Sequence, residues 1–156
     1  MEVLRQVINE ELNQNLEASI TVKEVKEAAF SMHQDKSPGP DDLNPAFYQT
    51  FWDVVGPDVV SVCEKFWHTR ALSEGLNATY IVLIPKKDAP HTMGDFRPIS
   101  LCNVLYKIIT KVLANRLKKV LNLVVLGSQS AFIPRRFITN NMLIAYEVTH
   151  FIKRKT

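Results

Sequence analysis

The sequence predicts a helix-rich α+β protein with one small antiparallel β-hairpin. Apolar residues recur at helical spacing before residue 70 and after residue 103, which favours amphipathic helices in both stretches. Between them, residues 80–84 form a short apolar and β-branched run that is typical of a strand. The chain has 156 residues, of which 46% are hydrophobic and 22% charged, so it is long and apolar enough to form a globular core.

Two helical segments are predicted at the start of the chain. Residues 1–18 carry apolar side chains at helical spacing. Thr21 and Glu24 then have the spacing of a capping box, which predicts that a second helix starts there. The buried face of this second helix is expected to hold Val22, Val25, Ala29 and Met32.

Two further helices are predicted before the hairpin. Asn44 followed by Pro45 indicates a cap and the first turn of a short helix. Gly56-Pro57 is expected to separate it from the next helix, because Gly and Pro together disfavour helical continuation. The buried side of that next helix is expected to hold Val59, Val60, Cys63, Phe66 and Trp67.

The hairpin and two helices account for the rest of the chain. Pro85 is expected to end the first strand, residues 86–94 to form a basic tip, and residues 95–99 to form the return strand. A continuous apolar stripe from Val104 to Leu121 predicts a long helix. Thr139 is predicted to cap a last helix.

Composition excludes several classes of protein. The two cysteines and four histidines show no zinc-ligand spacing, so two free thiols in a reducing compartment are expected. No apolar run approaches the ~20 residues that span a bilayer, and we expect an intracellular protein, cytoplasmic or nuclear, with no membrane partner. The net charge of +3 permits a polyanionic partner without requiring one.

Six segments, in this order, resemble the reverse transcriptases of plant non-LTR retrotransposons, the long interspersed elements. They are DKSPGPD at residues 35–41, IVLIPKK at 81–87, DFRPISL at 95–101, NRL at 115–117, QSAFIP at 129–134 and LIAYE at 143–147. The resemblance implies that residues 19–156 form the fingers and the start of the palm of such an enzyme, preceded by the helical segment 1–18.

The resemblance also implies an activity and its partners. The family copies an RNA template into DNA from a DNA primer and deoxynucleoside triphosphates, with Mg²⁺ held by palm aspartates in the full-length enzyme. Those aspartates are expected beyond Thr156, so no catalytic residue, metal ligand or cofactor is expected within these 156 residues. The chain alone is therefore expected to be inactive as a polymerase.

Several basic residues are candidates for binding. By resemblance, Lys86 and Arg97 flank the hairpin that closes over the incoming nucleotide, where a point charge and a planar fork suit a triphosphate; the alternative is solvated hairpin charges. Lys87 is expected to contact solvent or the template backbone. Phe96 and Ile99 are expected to pack the hairpin against the fingers. The remaining nucleic-acid-binding candidates are Lys107, Lys111 and Lys118, for which a solvated helix face is the main alternative, and Arg135 and Arg136 in a loop under the template.

Three positions depart from the pattern of the family. Asp42 and Arg135 stand where glycine is usual, and Asn140 stands where aspartate is usual. The pair Asp41-Asp42 is interpreted as part of a Pro/Gly turn and not as a metal-binding pair. A residual RNA-binding module and a retrotransposon remnant without function remain open as alternatives to a polymerase fragment.

Overall fold

The computed structural model describes residues 8–125, 129 and 137–155 and confirms the helix-rich α+β class. Within these residues the strands form one two-stranded antiparallel sheet. No helix in them is both long and apolar enough to cross a membrane. The helices are α1 (Glu10–Glu17), α2 (Val22–Phe30), α3 (Pro45–Thr50), α4 (Trp52–Thr69), α5 (Val104–Val124) and α6 (Ile138–Lys155), and the strands are β1 (Thr79–Pro85) and β2 (Phe96–Cys102).

The chain divides into two compact units. The larger unit, Ala18–Asn115, contains α2 to α4, both strands and the first half of α5. The smaller unit combines Met1–Glu17 with Arg116–Thr156. The predicted domain boundary between residues 18 and 19 stays a prediction.

The start of α2 confirms the capping box. The Glu24 amide donates to Thr21 Oγ1 at 3.2 Å, and the Thr21 amide donates to Glu24 Oε2 at 3.0 Å. Each side chain thus satisfies an amide that lacks a partner within the helix. Val22, expected to be buried, is 59% exposed because it lies in the first turn, whereas Val25 is fully buried.

The predicted break at Gly56-Pro57 is wrong, because α4 begins at Trp52 and runs through both residues. The break lies at Phe51 instead. Pro57 removes a single helical hydrogen bond, the one to the carbonyl of Asp53, which is an exposed residue. A Cβ on Gly56 would lie 2.9 Å from Cε2 of Trp52, so this glycine allows the indole to lie against the helix.

The cap of α3 agrees with the prediction. Asn44 Oδ1 accepts a hydrogen bond from the Phe47 amide at 3.0 Å, and Pro45 is the first helical residue. Such a cap contributes ~1 kcal/mol to helix stability.

The core of the larger unit lies between its four helices. Each fully buried Val or Ile side chain in such a core contributes ~1.5–3 kcal/mol relative to exposure. Burial, with a smaller effect of Glu64, raises the pKa of the Cys63 thiol to about 12, so this thiol stays protonated. The core includes Val25, Ala28, Tyr48, Trp52, Val59, Cys63, Trp67, Val104, Ile108, Ile109 and Val112.

The two strands pair along their whole length, from Thr79 opposite Cys102 to Pro85 opposite Phe96. β1 is one residue longer than predicted at each end, whereas β2 begins one residue later and ends three residues later than predicted. Every β1 residue is exposed, and Ile81 is 68% exposed. Ile99, expected to pack against the fingers, is itself 41% exposed, whereas Phe96 is half-buried. The exposed strand side chains therefore do not fix the direction of the hairpin, which is set by contacts at its base.

The base of the hairpin is held by the buried side chain of Asn103, the residue between β2 and α5. Its Nδ2 donates to the carbonyls of Gly75 and Leu76, just before β1, at 3.4 Å each. Its Oδ1 accepts from the Asp41 amide at 3.2 Å. We call these contacts the hairpin clamp. A Cβ on Gly39 would lie 2.4 Å from the Asn103 backbone nitrogen, so the loop needs glycine there.

The smaller unit has a buried arginine that the sequence did not indicate. Arg116 is 6% exposed, and its Nη1 donates to the carbonyl of Leu16 at 3.1 Å, near the end of α1. A cationic donor at a helix C-terminus satisfies a carbonyl that lacks a helical partner. Helix α6 starts at Ile138, so Thr139 lies in its first turn and not before it.

The close approach at Gly39 predicts a strong effect of adding one methyl group. Gly39→Ala should lower the free energy of unfolding by ~1–3 kcal/mol, because the atoms that it meets are backbone atoms of Cys102 and Asn103. Urea denaturation followed by circular dichroism measures this loss.

Gly94→Ala is the matched control for this substitution. Its added methyl would meet Thr92 Oγ1 at 3.6 Å, an ordinary contact, so a change within ~0.5 kcal/mol is expected. Equal losses of stability in Gly39→Ala and Gly94→Ala would contradict the close packing of Gly39 against the backbone of Cys102 and Asn103.

Candidate functional site

The tip of the hairpin brings together the two residues predicted to bind a nucleotide. The Lys86 amide donates to the Asp95 carbonyl at 2.7 Å, which extends strand pairing one residue beyond β1. Arg97 lies opposite Ile84 in the register. Because side chains alternate along a strand and face their cross-strand partners, Ile84, Lys86 and Arg97 lie on one face of the hairpin.

Neither cation on this face has an acidic partner among the described residues. Lys86 Nζ donates to the carbonyl of Gly94 at 2.8 Å, a neutral acceptor that uses one of three ammonium protons. Arg97 is exposed, and its side chain makes no hydrogen bond or ion pair with another described residue. The face therefore offers one oriented ammonium group and one free guanidinium group to an anion.

The neighbouring lysine is in a different situation. Lys87 Nζ lies 2.9 Å from Oδ1 of Asp95. Oδ2 of the same carboxylate accepts from the amides of His91 and Thr92, both at 2.9 Å. Lys87, expected to meet solvent or template, is thus part of an ion pair within the tip.

This arrangement stabilises the charged form of Asp95. The Lys87 ammonium, followed by the amides of His91 and Thr92, lowers the pKa of the Asp95 carboxyl to about 2. The carboxylate is therefore ionised at neutral pH, where its ion pair with Lys87 is present.

The three lysines of α5 have unequal surroundings. Lys107 Nζ donates to the Ser37 carbonyl at 3.0 Å, which ties α5 to the loop at residues 37–41. Lys111 is half-exposed and Lys118 is exposed. Their role in binding nucleic acid stays a prediction, and Arg135 and Arg136 lie outside the described residues.

The acidic pair is part of a turn. The Asp42 amide donates to the Gly39 carbonyl at 3.1 Å, and the Leu43 amide donates to Asp41 Oδ1 at 3.2 Å. Asp42 has a φ of 55°, in the left-handed region where glycine is favoured and aspartate is among the better tolerated alternatives. This backbone explains why glycine suits the position. Arg135 and the side chain of Asn140 lie outside the described residues.

The described residues contain no group of three or more His, Cys, Asp or Glu side chains placed to hold a metal ion. The two-metal chemistry implied by the resemblance needs carboxylates around each ion. The donor set in this part of the chain does not fit that requirement, and no step through Mg²⁺ is assigned to these residues.

Sequence reasoning missed Asp95 and Asn103. Thr92 and Asp95 have capping-box spacing, and the Thr92 amide donates to Asp95 Oδ2 at 2.9 Å at the start of the short 3₁₀ turn Met93–Asp95. That signal was available in the sequence. Asn103 contacts Asp41, which is 62 positions away in the sequence, and no local sequence pattern predicts such a contact.

The lowered pKa of Asp95 gives a direct test of the tip. NMR titration of the side-chain carboxyl should give a midpoint near pH 2, and Lys87→Ala should raise it because the largest stabilising contact is lost. A depressed folded-state pKa means that the stabilisation is present above the unfolded pKa of ~3.9 and is lost as the pH falls toward 2. An unchanged midpoint in Lys87→Ala would contradict the ion pair.

Comparison with known proteins supports the resemblance. The family described as reverse transcriptase (RNA-dependent DNA polymerase) matches residues 84–155. The Transposon TX1 uncharacterized 149 kDa protein of Xenopus laevis is 35% identical over 148 residues, which cover 95% of this chain and 11% of that protein. The plant-like part of the resemblance stays a prediction. The two matches agree with the assignment made from the six motifs, and residues 84–155 of this chain belong to the reverse transcriptase family.

Proposed function

We propose that this chain supplies the fingers and the start of the palm of an RNA-directed DNA polymerase, and that Lys86 and Arg97 bind the phosphates of the incoming deoxynucleoside triphosphate. The observation that carries this proposal is the placement, on one face of an exposed hairpin, of two cations that have no acidic partner in the described part of the chain. RNA template and DNA primer are the polymer partners that the proposal requires.

The chemistry of the two side chains suits a triphosphate. The guanidinium group of Arg97 presents a planar fork that can donate to two phosphate oxygens, and the Lys86 ammonium acts as a point charge. The bond from Lys86 Nζ to the Gly94 carbonyl fixes the ammonium position before the ligand arrives. Less conformational entropy is then lost on binding.

The expected affinity for a triphosphate follows from the solvent exposure of the two cations. Hydrogen bonds to charged groups contribute ~1.5–3 kcal/mol each, and screening by solvent keeps exposed pairs at the low end. Two or three such contacts total ~4 kcal/mol, which corresponds to a Kd of about 1 mM. The hairpin alone should therefore bind a triphosphate weakly, with an affinity that falls as salt concentration rises.

Substitution of either cation should weaken triphosphate binding. Lys86→Ala and Arg97→Ala should each raise the Kd about tenfold, which corresponds to ~1.4 kcal/mol of lost binding energy. NMR titration of the 156-residue chain with a deoxynucleoside triphosphate measures the Kd, and circular dichroism checks that each variant is folded.

Lys65→Ala is the matched control. Lys65 is an exposed lysine of α4, so its loss changes the net charge equally without touching the tip. Its Kd should stay within about twofold of the wild-type value, since a remote surface charge is largely screened. If Lys65→Ala lost as much affinity as Lys86→Ala, the binding would reflect general charge attraction and not a specific site.

A further inference from the structure

The hairpin has two outer edges, and the pairing of its strands determines which backbone groups point toward each edge. The Lys86 amide donates to the carbonyl of Asp95, the residue that the register places opposite it, at 2.7 Å. In an antiparallel pair, directly opposed residues exchange backbone hydrogen bonds at alternate positions. Tyr80, Val82 and Ile84 are therefore also hydrogen-bonded to β2, and the odd-numbered residues of β1 direct their backbone groups to its outer edge.

Two features of β2 agree with this alternation. Pro98, which has no amide hydrogen to donate, lies opposite Leu83, at a position without cross-strand hydrogen bonds. The Phe96 amide lies opposite Pro85 and donates to the Met93 carbonyl, away from β1. The outer edge of β2 therefore lacks one amide at Pro98 and has another already bonded at Phe96.

The outer edge of β1 has no such protection. Its outward amides belong to Thr79, Ile81 and Leu83, and no described residue accepts a hydrogen bond from them. β1 has no charged residue and no bulge, and its one proline is its last residue. Charges, bulges and interior prolines are the devices that keep a sheet edge from pairing with another strand. β1 is therefore open to a further strand along most of its length.

We propose that β1 pairs with β1 of a second copy of this chain, in antiparallel orientation, with Ile81 of each copy beside the two-fold axis. In this register Thr79 lies opposite Leu83 of the second copy, so that every outward amide meets an outward carbonyl. The pairing is isologous and closes after two copies. It joins two two-stranded sheets, and the edges that remain are those of β2, which Pro98 protects.

The distribution of charge and side chains favours a second copy in this orientation. Lys86 and Lys87 directly follow β1, whereas the two residues before it are uncharged. Antiparallel pairing places the lysines of the two copies at opposite ends of the shared sheet, whereas parallel pairing would bring these like charges together. Tyr80 lies opposite Val82 of the second copy, an aromatic and β-branched pair that stabilises sheets. The two tips point in opposite directions, so this proposal does not depend on the proposed phosphate site.

The short length of the strand indicates a weak dimer. β1 has seven residues, of which Ile81 is 68% exposed. Pairing along one such edge buries less surface than the ~800 Å² per partner of a standard interface. A dimer Kd of roughly 100 µM is therefore expected, in the range of transient interfaces.

Ile81→Lys tests the proposal through sedimentation velocity of the 156-residue chain. The wild-type chain should form a dimer as its concentration rises from about 10 µM to about 1 mM. Two lysines would lie directly opposite each other in the variant, which should raise the dimer Kd at least about tenfold. Circular dichroism checks that the variant is folded. A wild-type chain that stays monomeric over this range, or an unchanged Kd in Ile81→Lys, would overturn the proposal.

Ile99→Lys is the matched control. Ile99 is a 41% exposed residue of β2, so the substitution adds the same charge to the hairpin without placing two lysines opposite each other. Its dimer Kd should stay within about threefold of the wild-type value, because a separated surface charge is largely screened. Equal weakening in the two lysine variants would show association through an apolar face of the hairpin, which contradicts pairing at the β1 edge.

Cross-linking provides a second test that does not need the lysine variant to fold. In Ile81→Cys the two new cysteines would have Cα atoms about 5.5 Å apart, within reach of a disulfide. In Ile84→Cys they would lie about 20 Å apart. Mild oxidation should therefore give a disulfide-linked dimer of Ile81→Cys only, against the background of Cys63 and Cys102 in the wild-type chain. Equal cross-linking of both variants, or none of Ile81→Cys, would overturn the proposed register.

Discussion

The buried carboxamide of Asn103 holds both ends of the hairpin to the helical core, and the presentation of the tip depends on this one side chain. It donates to the carbonyls of Gly75 and Leu76 before β1, and it follows β2 directly in the chain. Its oxygen accepts from Asp41, which brings in the loop at residues 37–41. A buried amide left without these partners would cost ~1–3 kcal/mol in desolvation. The close approach of Gly39 to the same backbone makes the loop and the hairpin base one structural element.

The hairpin therefore differs from a strand pair that is positioned by a hydrophobic core. All β1 side chains are exposed, so packing does not fix the ribbon between its ends. Polar contacts position it instead, through the Asn103 amide at the base and the Asp95 carboxylate at the tip. Asn103 is buried and Asp95 is partly buried, and a side-chain oxygen of each accepts from backbone amides. In this arrangement the helical core supplies stability, and two polar side chains determine where Lys86 and Arg97 lie.

Periodicity and capping chemistry predicted most of the fold, because they are local. The capping box at Thr21, the cap at Asn44 and the helix from Val104 all follow from neighbouring residues. The break predicted at Gly56-Pro57 was wrong, because contact of the glycine with the Trp52 indole depends on packing. Lys107 was predicted on a solvated or phosphate-binding face, but its contact with Ser37 joins residues 70 positions apart. Lys86 and Arg97 were identified as nucleotide-binding candidates by resemblance to the family, since composition alone did not distinguish them from solvated charges.

A map of chemical shift changes shows whether the tip of this hairpin is a triphosphate site. A deoxynucleoside triphosphate is added to the ¹⁵N-labelled chain at concentrations around the expected Kd of about 1 mM. If the tip binds the triphosphate, the largest amide shifts fall within residues 86–97, with little change in α2 to α4. Shifts concentrated in the helices, or no shift at the tip at concentrations well above about 1 mM, would contradict the claim.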